Sequence, residues 1–582
     1  MDFRKLLTGK NLLISVVLIA LLFLTAGYFL FRRPPRVEMA KYVPASALAV
    51  IEVGNLSDLL DGLTSTKAWQ ELAPLLGLSG QLKQLGSGID LMSRSGFGPD
   101  EVVIAGRAQY AIVVTGIEAG TQATDEGVSL NVKPRFALLI ETHASAEKTT
   151  KIANERASII ANRIFGDGVT EESQNYEGVR LLIFRNAEGN RELIAAASGN
   201  VLLIANHDSA IKSCLDTLAN RAANLTTDET LKTHRRQVDG DAPIFAYVTK
   251  TGIERLAQLA PALFATRFTT NPDSIEAVVS LFGHLSKQTA EGFFYSLQFN
   301  DGDVVEKYFT ALRPQLAASL AQPMKATTGA GFAFLKLIPN DVKDCTIFKI
   351  EEIGALPENL LKQLSPNFDV VAALAFREFV INFRKQLGVE ANDTLGAALG
   401  NEIALVKVND PEPTMMLIRV KDRNAIRTAM TRYLSTGGAS VSKTQYDGVE
   451  INLSSNDDGR AAAFIGDTLI LATQPQIQRC VDTQSQKTSA ATNQHVKHTL
   501  EIAPQQASII AYEPDAAQTG AMMLAISKLT RVTDGSSEIL ERPEVKEALN
   551  RLPYAASFTI FRETGIYTES HSAAGIFKRF GG

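Results

Sequence analysis

The nearest the sequence comes to a metal-binding helix face is the pair His495 and His498 in QHVKH, two imidazoles at i and i+3. Two such ligands need carboxylate or cysteine partners from elsewhere. The sequence points to none, so the pair reads as a surface or satisfied structural pair. A second candidate is an echo. VLLIANHDSAIKSCLDT (201–217) and TLILATQPQIQRCVDT (468–483) both finish in Cys-x-Asp-Thr, which offers a thiol, a carboxylate and a hydroxyl. Ile211, Cys214 and Leu215 stand at i, i+3 and i+4, as do Ile477, Cys480 and Val481. That spacing puts both thiols on the buried stripe of equivalent helices, where a cysteine behaves as a small hydrophobe. A bridge between them needs Cα atoms within about 7 Å, and the sequence leaves that open. Asp216 and Thr217, with Asp482 and Thr483, fall on the next turn and are read as fixing the helix.

Two further stretches invite chemistry and do not carry it. NDGD (300–303) opens like a calcium loop but lacks the later carboxylates and closing Glu, so it reads as a hairpin turn. Lys232, His234, Arg235 and Arg236 form the densest basic patch and read as a solvated helix end. The sequence has no G-x-x-x-x-G-K-[ST] loop, H-E-x-x-H helix, G-x-S-x-G elbow or paired C-x-x-C, and no G-x-G-x-x-G after a strand. It therefore names no catalytic, cofactor-binding or metal-ligating residue and no cofactor. The expectation is a protein that is not an enzyme.

Compared with itself, the chain is written twice. Tyr176-Glu177-Gly178-Val179 corresponds to Tyr446-Asp447-Gly448-Val449, and ELIAAASGNVLLIA (192–205) to AAAFIGDTLILA (461–472). In the latter pair Gly-Asn and Gly-Asp are two-residue hairpin signals. PRFALLIET (134–142) and PTMMLIRV (413–420) each precede an amphipathic helix. One starts after Ser145 with Ile152, Ile159, Ile160 and Ile164, the other after Asp422 with Ile426, Met430, Tyr433 and Leu434. IFAYV (244–248) answers IIAYE (509–513), and FFYSLQFNDGDVVEKYFT (293–310) answers AASFTIFRETGIYTES (555–570). More weakly, YVPASALAVIEV (42–53) answers LIPNDVKDCTIFKI (337–350). A period this long marks a tandem domain duplication, not a solenoid.

Residues 11–31 hold no charge over 21 positions, a helix of about 31 Å, enough to cross a bilayer. The run is too long for a signal-peptide core and no Ala-x-Ala site follows it, so it reads as an uncleaved signal anchor. Basic residues flank both ends, leaving orientation to the usual export arrangement, with the N-terminus inside. Residues 37–582 carry 52 basic and 62 acidic side chains, a net of −10. That balance argues against nucleic acid, whose binding needs clustered positive charge. Three cysteines in 582 residues are too few for a disulfide framework.

The expected organisation is a short cytoplasmic tail (1–10), a transmembrane helix (11–31), a Pro-containing stalk (32–42), an α+β repeat (43–313), a linker (314–331) and a second α+β repeat (332–582). Each repeat is expected to be mainly antiparallel sheet with packed helices; whether the two make one sheet or two stays open. The apolar N-terminal run, the start YVPASALAVIEV and the twinned hairpin-then-helix units resemble an uncharacterised bacterial family of N-terminally anchored extracytoplasmic proteins with a duplicated domain of unknown function. The resemblance covers most of 37–582, implies location and architecture, and carries over no catalytic residue. The functional expectation is a membrane-anchored envelope protein acting as a non-catalytic binding or scaffolding module. Its expected partners are the membrane, through 11–31, and an envelope protein or apolar ligand, not nucleic acid. Two alternatives are a carrier of lipid or another apolar molecule and an envelope hydrolase with an unrecognised site. The hydrolase would show itself as a buried Asp, Glu or His cluster in one repeat without a counterpart in the other.

Overall fold

The computed structural model describes residues 35–78, 100–124, 127–258, 289–327, 332–368, 395–408, 413–456, 459–529 and 537–575, together with 88, 92, 370, 373, 374, 377 and 381. Alternating apolar runs punctuated by Gly and Asp turns fold into ten strands per repeat among these residues. The first repeat holds β1 (Ala49–Val53), β2 (Gln109–Thr124), β3 (Gly127–Glu141), β4 (Thr170–Tyr176), β5 (Val179–Arg185), β6 (Glu192–Ser198), β7 (Val201–Ala205), β8 (Ile244–Thr249), β9 (Ala290–Asn300) and β10 (Asp303–Leu312). The second holds β11 (Asp344–Lys349), β12 (Leu399–Lys407), β13 (Met415–Val420), β14 (Val441–Tyr446), β15 (Val449–Ser454), β16 (Arg460–Ile465), β17 (Thr468–Thr473), β18 (Ile509–Glu513), β19 (Ala555–Arg562) and β20 (Gly565–Ser572).

The described chain divides into two compact units, Met1–Thr64 with Leu78–Glu118 and Lys133–Asp228, and Ser65–Gly77 with Ala119–Val132 and Glu229–Gly582. In the first unit the strand order is β1-β2-β3-β7-β6-β5-β4. The second unit contains the same order in β11-β12-β13-β17-β16-β15-β14. The duplication is thus reproduced pairing by pairing. Even the weakly matched starts agree: Pro44 bridges to Asn224, and Pro339 to Ser489. The sequence left one question open, and the second unit answers it. There β8-β9-β10 of the first repeat continues through an antiparallel β10–β20 pairing into β19-β18-β11 of the second, so the two repeats share a sheet.

Helices lie on these sheets by their small or apolar stripes. Helix α1 (Ala146–Phe165) is capped by Ser145, whose side chain accepts from Lys148 N. The helix expected after Asp422 forms as α3 (Arg423–Leu434), with Asp422 accepting from Asn424 N and Ala425 N and with Ile426, Met430 and Leu434 buried. Between them, α2 (Asp208–Leu218) buries Ile211, Cys214 and Leu215, and later α4 (Gln474–Gln486) buries Ile477, Cys480 and Val481. The stripe reading of both cysteines holds, and Cys214, Cys345 and Cys480 are all free and buried.

Two expectations need correction. In α1 the buried positions are Thr149, Ala153, Ala157 and Ala161, whereas Ile159 and Ile164 are 51% and 48% exposed. The reason is steric: the facing sheet presents Leu182, Phe184 and Leu193, and alanines let the helix settle onto those large side chains. The fold class is corrected in its first element. The α+β class fits, but the expected N-terminal transmembrane helix is not found. Among the described residues no helix is long and apolar enough to cross a membrane. Helices α2, α3 and α4 are amphipathic, with their buried residues on one stripe. The run 11–31, and with it the tail 1–10 and the start of the stalk, lies outside the described residues.

The two faces of α1 are distinguishable by mutation. Ala157→Leu overfills a packed face and is expected to cost about 1–3 kcal/mol, whereas Ile159→Ala stays within about 0.5 kcal/mol. Urea-unfolding midpoints of the two variants check this, and the reverse order would mean the isoleucines face the sheet.

Candidate functional site

The structure scatters most residues the sequence singled out. His495 and His498 do share the helix Gln494–Ile502, but His495 stacks on Tyr554 with ring centroids 4.9 Å apart. Burial, followed by the neighbouring His498, lowers the His495 pKa. Among the described residues no group of three or more His, Cys, Asp or Glu side chains could hold a metal. The basic patch disperses as well. Lys232 pairs with Glu229, His234 lies 5.2 Å from the Phe309 ring, and Arg235 stacks over Phe245 while donating to the Gly240 carbonyl. NDGD is the β9–β10 hairpin turn, with Asp301 and Gly302 at φ 51° and 84°, and Asp303 accepts from Lys67 at 3.1 Å.

What the repeats do share is a tyrosine–carboxylate latch. The Tyr176 hydroxyl lies 3.1 Å from both oxygens of Asp216, and the Tyr446 hydroxyl 3.0 and 3.1 Å from those of Asp482. The Tyr-x-Gly turn and the Cys-x-Asp-Thr helix, matched separately in the sequence, are the two ends of this one contact. The turn residues Glu177-Gly178 and Asp447-Gly448 all have positive φ, which aims each tyrosine back over its hairpin onto the helix. Burial and the Asp216 carboxylate raise the Tyr176 pKa, and in the second repeat the Asp482 hydrogen bond does so for Tyr446. The contact holds a hairpin to a helix, which is a structural role.

Among the described residues the first repeat carries a wholly buried carboxylate beside an imidazole. Glu141 is wholly buried at the end of β3. It accepts from Tyr42 Oη and Asn200 Nδ2, each at 2.5 Å, and from His143 N at 3.1 Å. His143, itself at φ 50°, brings Nε2 within 3.2 Å of Gln109 Oε1. Gln109 in turn accepts from Val37 N at 2.7 Å and donates to Val37 O at 3.0 Å. Through the strand register, Arg419 and Asp467 of the second repeat stand in place of Glu141 and Asn200, and Leu337 stands in place of Tyr42. Such an unmatched cluster is the sign expected of a hydrolase. Here, however, both Glu141 oxygens are occupied and burial holds His143 below its ordinary pKa, so the arrangement clamps the entering chain.

The seam between β10 and β20 gathers the remaining polar groups, all within the second unit. Its register runs from Val304↔Ser572 to Ala311↔Gly565, with Lys307 opposite Glu569. On one face Tyr295 and Tyr308 donate to buried Glu306 at 2.9 and 3.1 Å. On the other, Lys307 pairs with Asp239, which also accepts from Gln298 at 2.7 Å. Glu569 accepts from Tyr567 at 2.6 Å and pairs with His571 at 2.8 Å. The His571 contact, with help from Tyr567 and Lys307 against the cost of burial, depresses the Glu569 pKa to about 2. Next to it, Arg562 donates to Gln237 at 2.6 Å and lies 4.1 Å over the Tyr567 ring. Arg562 also lines an open pocket of ≈ 580 Å³ with Lys325, Gln505, Gln506, Ile560 and Phe561. Farther along the shared sheet, Lys349 and Glu402 oppose each other buried, burial lowering the lysine pKa and raising that of the carboxylate.

A family model described as "Protein of unknown function (DUF3352)" matches residues 144–331 and 391–543, together more than half of the chain. The chain belongs to the DUF3352 family. No curated protein and no solved structure matches it. The two matched regions agree with the internal duplication, and each includes its own tyrosine–carboxylate latch. Sequence reasoning missed the DUF3352 protein's seam residues. The available signal was the pair of matched hairpins, which carry Lys307 and Glu569 at the same position with opposite charge.

Two outcomes test these assignments. Tyr446→Phe and Tyr176→Phe are each expected to lower stability in chemical denaturation, as the loss of a hydrogen bond does. For Glu569 the folded carboxylate titrates below its ordinary value of 4.5, so its contribution is full above that pH and is lost as the pH falls toward 2. Thermal scans of wild type and Glu569→Gln should therefore differ most at neutral pH and converge in acid.

Proposed function

We propose that this DUF3352 protein is a non-catalytic binding module of the cell envelope, with its ligand seat at the seam where the repeats join. The carrying observation is the open ≈ 580 Å³ pocket, which combines Ala321, Lys325 and Ala326 from the segment after the first repeat with Gln505, Gln506 and Ile560–Arg562 of the second. Ligand sites favour such junctions, lined by apolar walls with a few convergent polar groups. The polar contacts that the repeats have in common fasten hairpins to helices, which supports recognition in preference to catalysis. For location, the support is the uncharged run 11–31, a composition that directs chains to membranes.

A second reading, carriage of an apolar ligand, draws on a smaller pocket of ≈ 280 Å³. Its walls are Phe332, Leu335, Ala490, Ala491, Val496 and Leu500, with Lys336 and Lys497 completing the lining.

Cell fractionation followed by native mass spectrometry of the full chain, extracted gently from its own host, tests the proposal. The expected result is an envelope fraction and a mass increased by a bound molecule or partner. A bare mass, with no partner recovered by crosslinking in cells, would overturn the binding reading. Recovery of only an acyl-chain mass would favour the second pocket.

A further inference from the structure

We infer that the seam pocket is an anion seat, built to hold a carboxylate or phosphate group of a small molecule against Arg562. The inference rests on the binding reading above and specifies its ligand. Arg562 ends β19 beside the two-residue turn Glu563-Thr564. Two neutral contacts fix its guanidinium: the Gln237 amide oxygen at 2.6 Å and the face of Tyr567 at 4.1 Å. Among the described residues no carboxylate is paired with it. Two arginines of this unit are, by contrast, compensated by acids, Arg479 by Asp341 and Arg551 by Glu71 and Glu547; Arg313 has buried Nε and Nη2 atoms without a hydrogen-bond partner, but it does not line the pocket. A partly buried, always-charged, planar donor held in place but left without an acid is the group that most favours an incoming oxyanion.

The rest of the pocket suits the same ligand. Lys325 lines it, tied at 3.0 Å to Glu351 by an exposed pair that solvent screens and that a stronger acceptor can compete with. Gln505 and Gln506 are exposed amides at the same pocket and can donate N–H groups to oxygen. Ser508 contributes no donor, since its hydroxyl is committed to the Met324 carbonyl. Ile560, Phe561, Ala321 and Ala326 supply an apolar wall for the carbon skeleton that bears the charge. The first repeat has no such seat at the matched place, because Asn300 stands where the second has Arg562, and Gly240 and Asp241 stand where it has Gln505 and Gln506. Asp241 would repel an anion, so duplication followed by divergence leaves one seat per chain.

The test uses the full chain and two probes, inorganic phosphate and succinate, titrated at constant ionic strength while Tm is followed. Wild type is expected to show a saturable rise with at least one probe. A response to succinate alone assigns a carboxylate ligand, a response to phosphate alone assigns a phosphate, and a response to both assigns a general oxyanion seat. Arg562→Gln should weaken the response about tenfold or more. Because Arg562 also packs on Tyr567, Gln506→Glu serves as the second variant: it is exposed, leaves the fold intact and places a repelling charge in the pocket. Loss of response in both variants, with Lys67→Gln unaffected, supports the seat. An unsaturable response, or one that Gln506→Glu leaves unchanged, overturns it. If the chain then still carries a bound mass from its host, only the anion assignment falls; if the mass is bare, the binding reading falls with it.

Discussion

The backbone ladder between β10 and β20 is the interaction on which the rest depends. Each repeat ends in a two-residue hairpin whose last strand would otherwise be an open edge, a row of unpaired N–H and C=O groups that invites association with other chains. Pairing the two final strands with each other removes both edges at once. The matched hairpins place Lys307 and Glu569 at the same position, four residues after Asp303 and Gly565, and the register sets these two counterparts directly opposite each other. A local twofold relating the hairpins therefore passes through this pair. A self-paired position cannot carry one charge without repelling its copy; here the two copies have opposite signs. Asp239 on one side and His571 with Tyr567 on the other then complete the polar shell of the seam.

Duplication leaves the repeats with one skeleton and different ornament. The skeleton comprises the shared strand order, the proline bridges at Pro44 and Pro339, the buried cysteine stripes and the tyrosine latches. The ornament is polar and unmatched. The first repeat buries Glu141 among donors, and the second buries Lys349 against Glu402. Burying such groups is costly unless they are compensated, so each has drawn its own partners around it. Chemistry that is new to one copy, such as the uncompensated Arg562, therefore stands out against the common frame.

Much of that frame was legible in the sequence because it is local. Hairpin turns, caps and helical stripes are decided by residues within a few positions of one another, which is why Ser145, Asp422 and the cysteine helices read correctly. The face of α1 did not, because the choice between its isoleucines and its alanines is made by Phe184 and Leu193 on a facing sheet. The latch was visible only as two unconnected matches, Tyr-x-Gly and Cys-x-Asp-Thr, since nothing in spacing tells that Tyr176 reaches Asp216 forty residues on. The seam pocket is further still from local reading. Lys325, Gln505 and Arg562 meet because β18 pairs with β19 and Ala326 bridges to Ile350, contacts between segments far apart in the chain.

The clamp at Val37 has a mechanical meaning. Gln109 grips both the N–H and the C=O of Val37, and five residues later Tyr42 is fastened to Glu141, before the first strand begins. A pull on the chain at Val37 would thus be met by two side chains, one rooted in β2 and one near the end of β3.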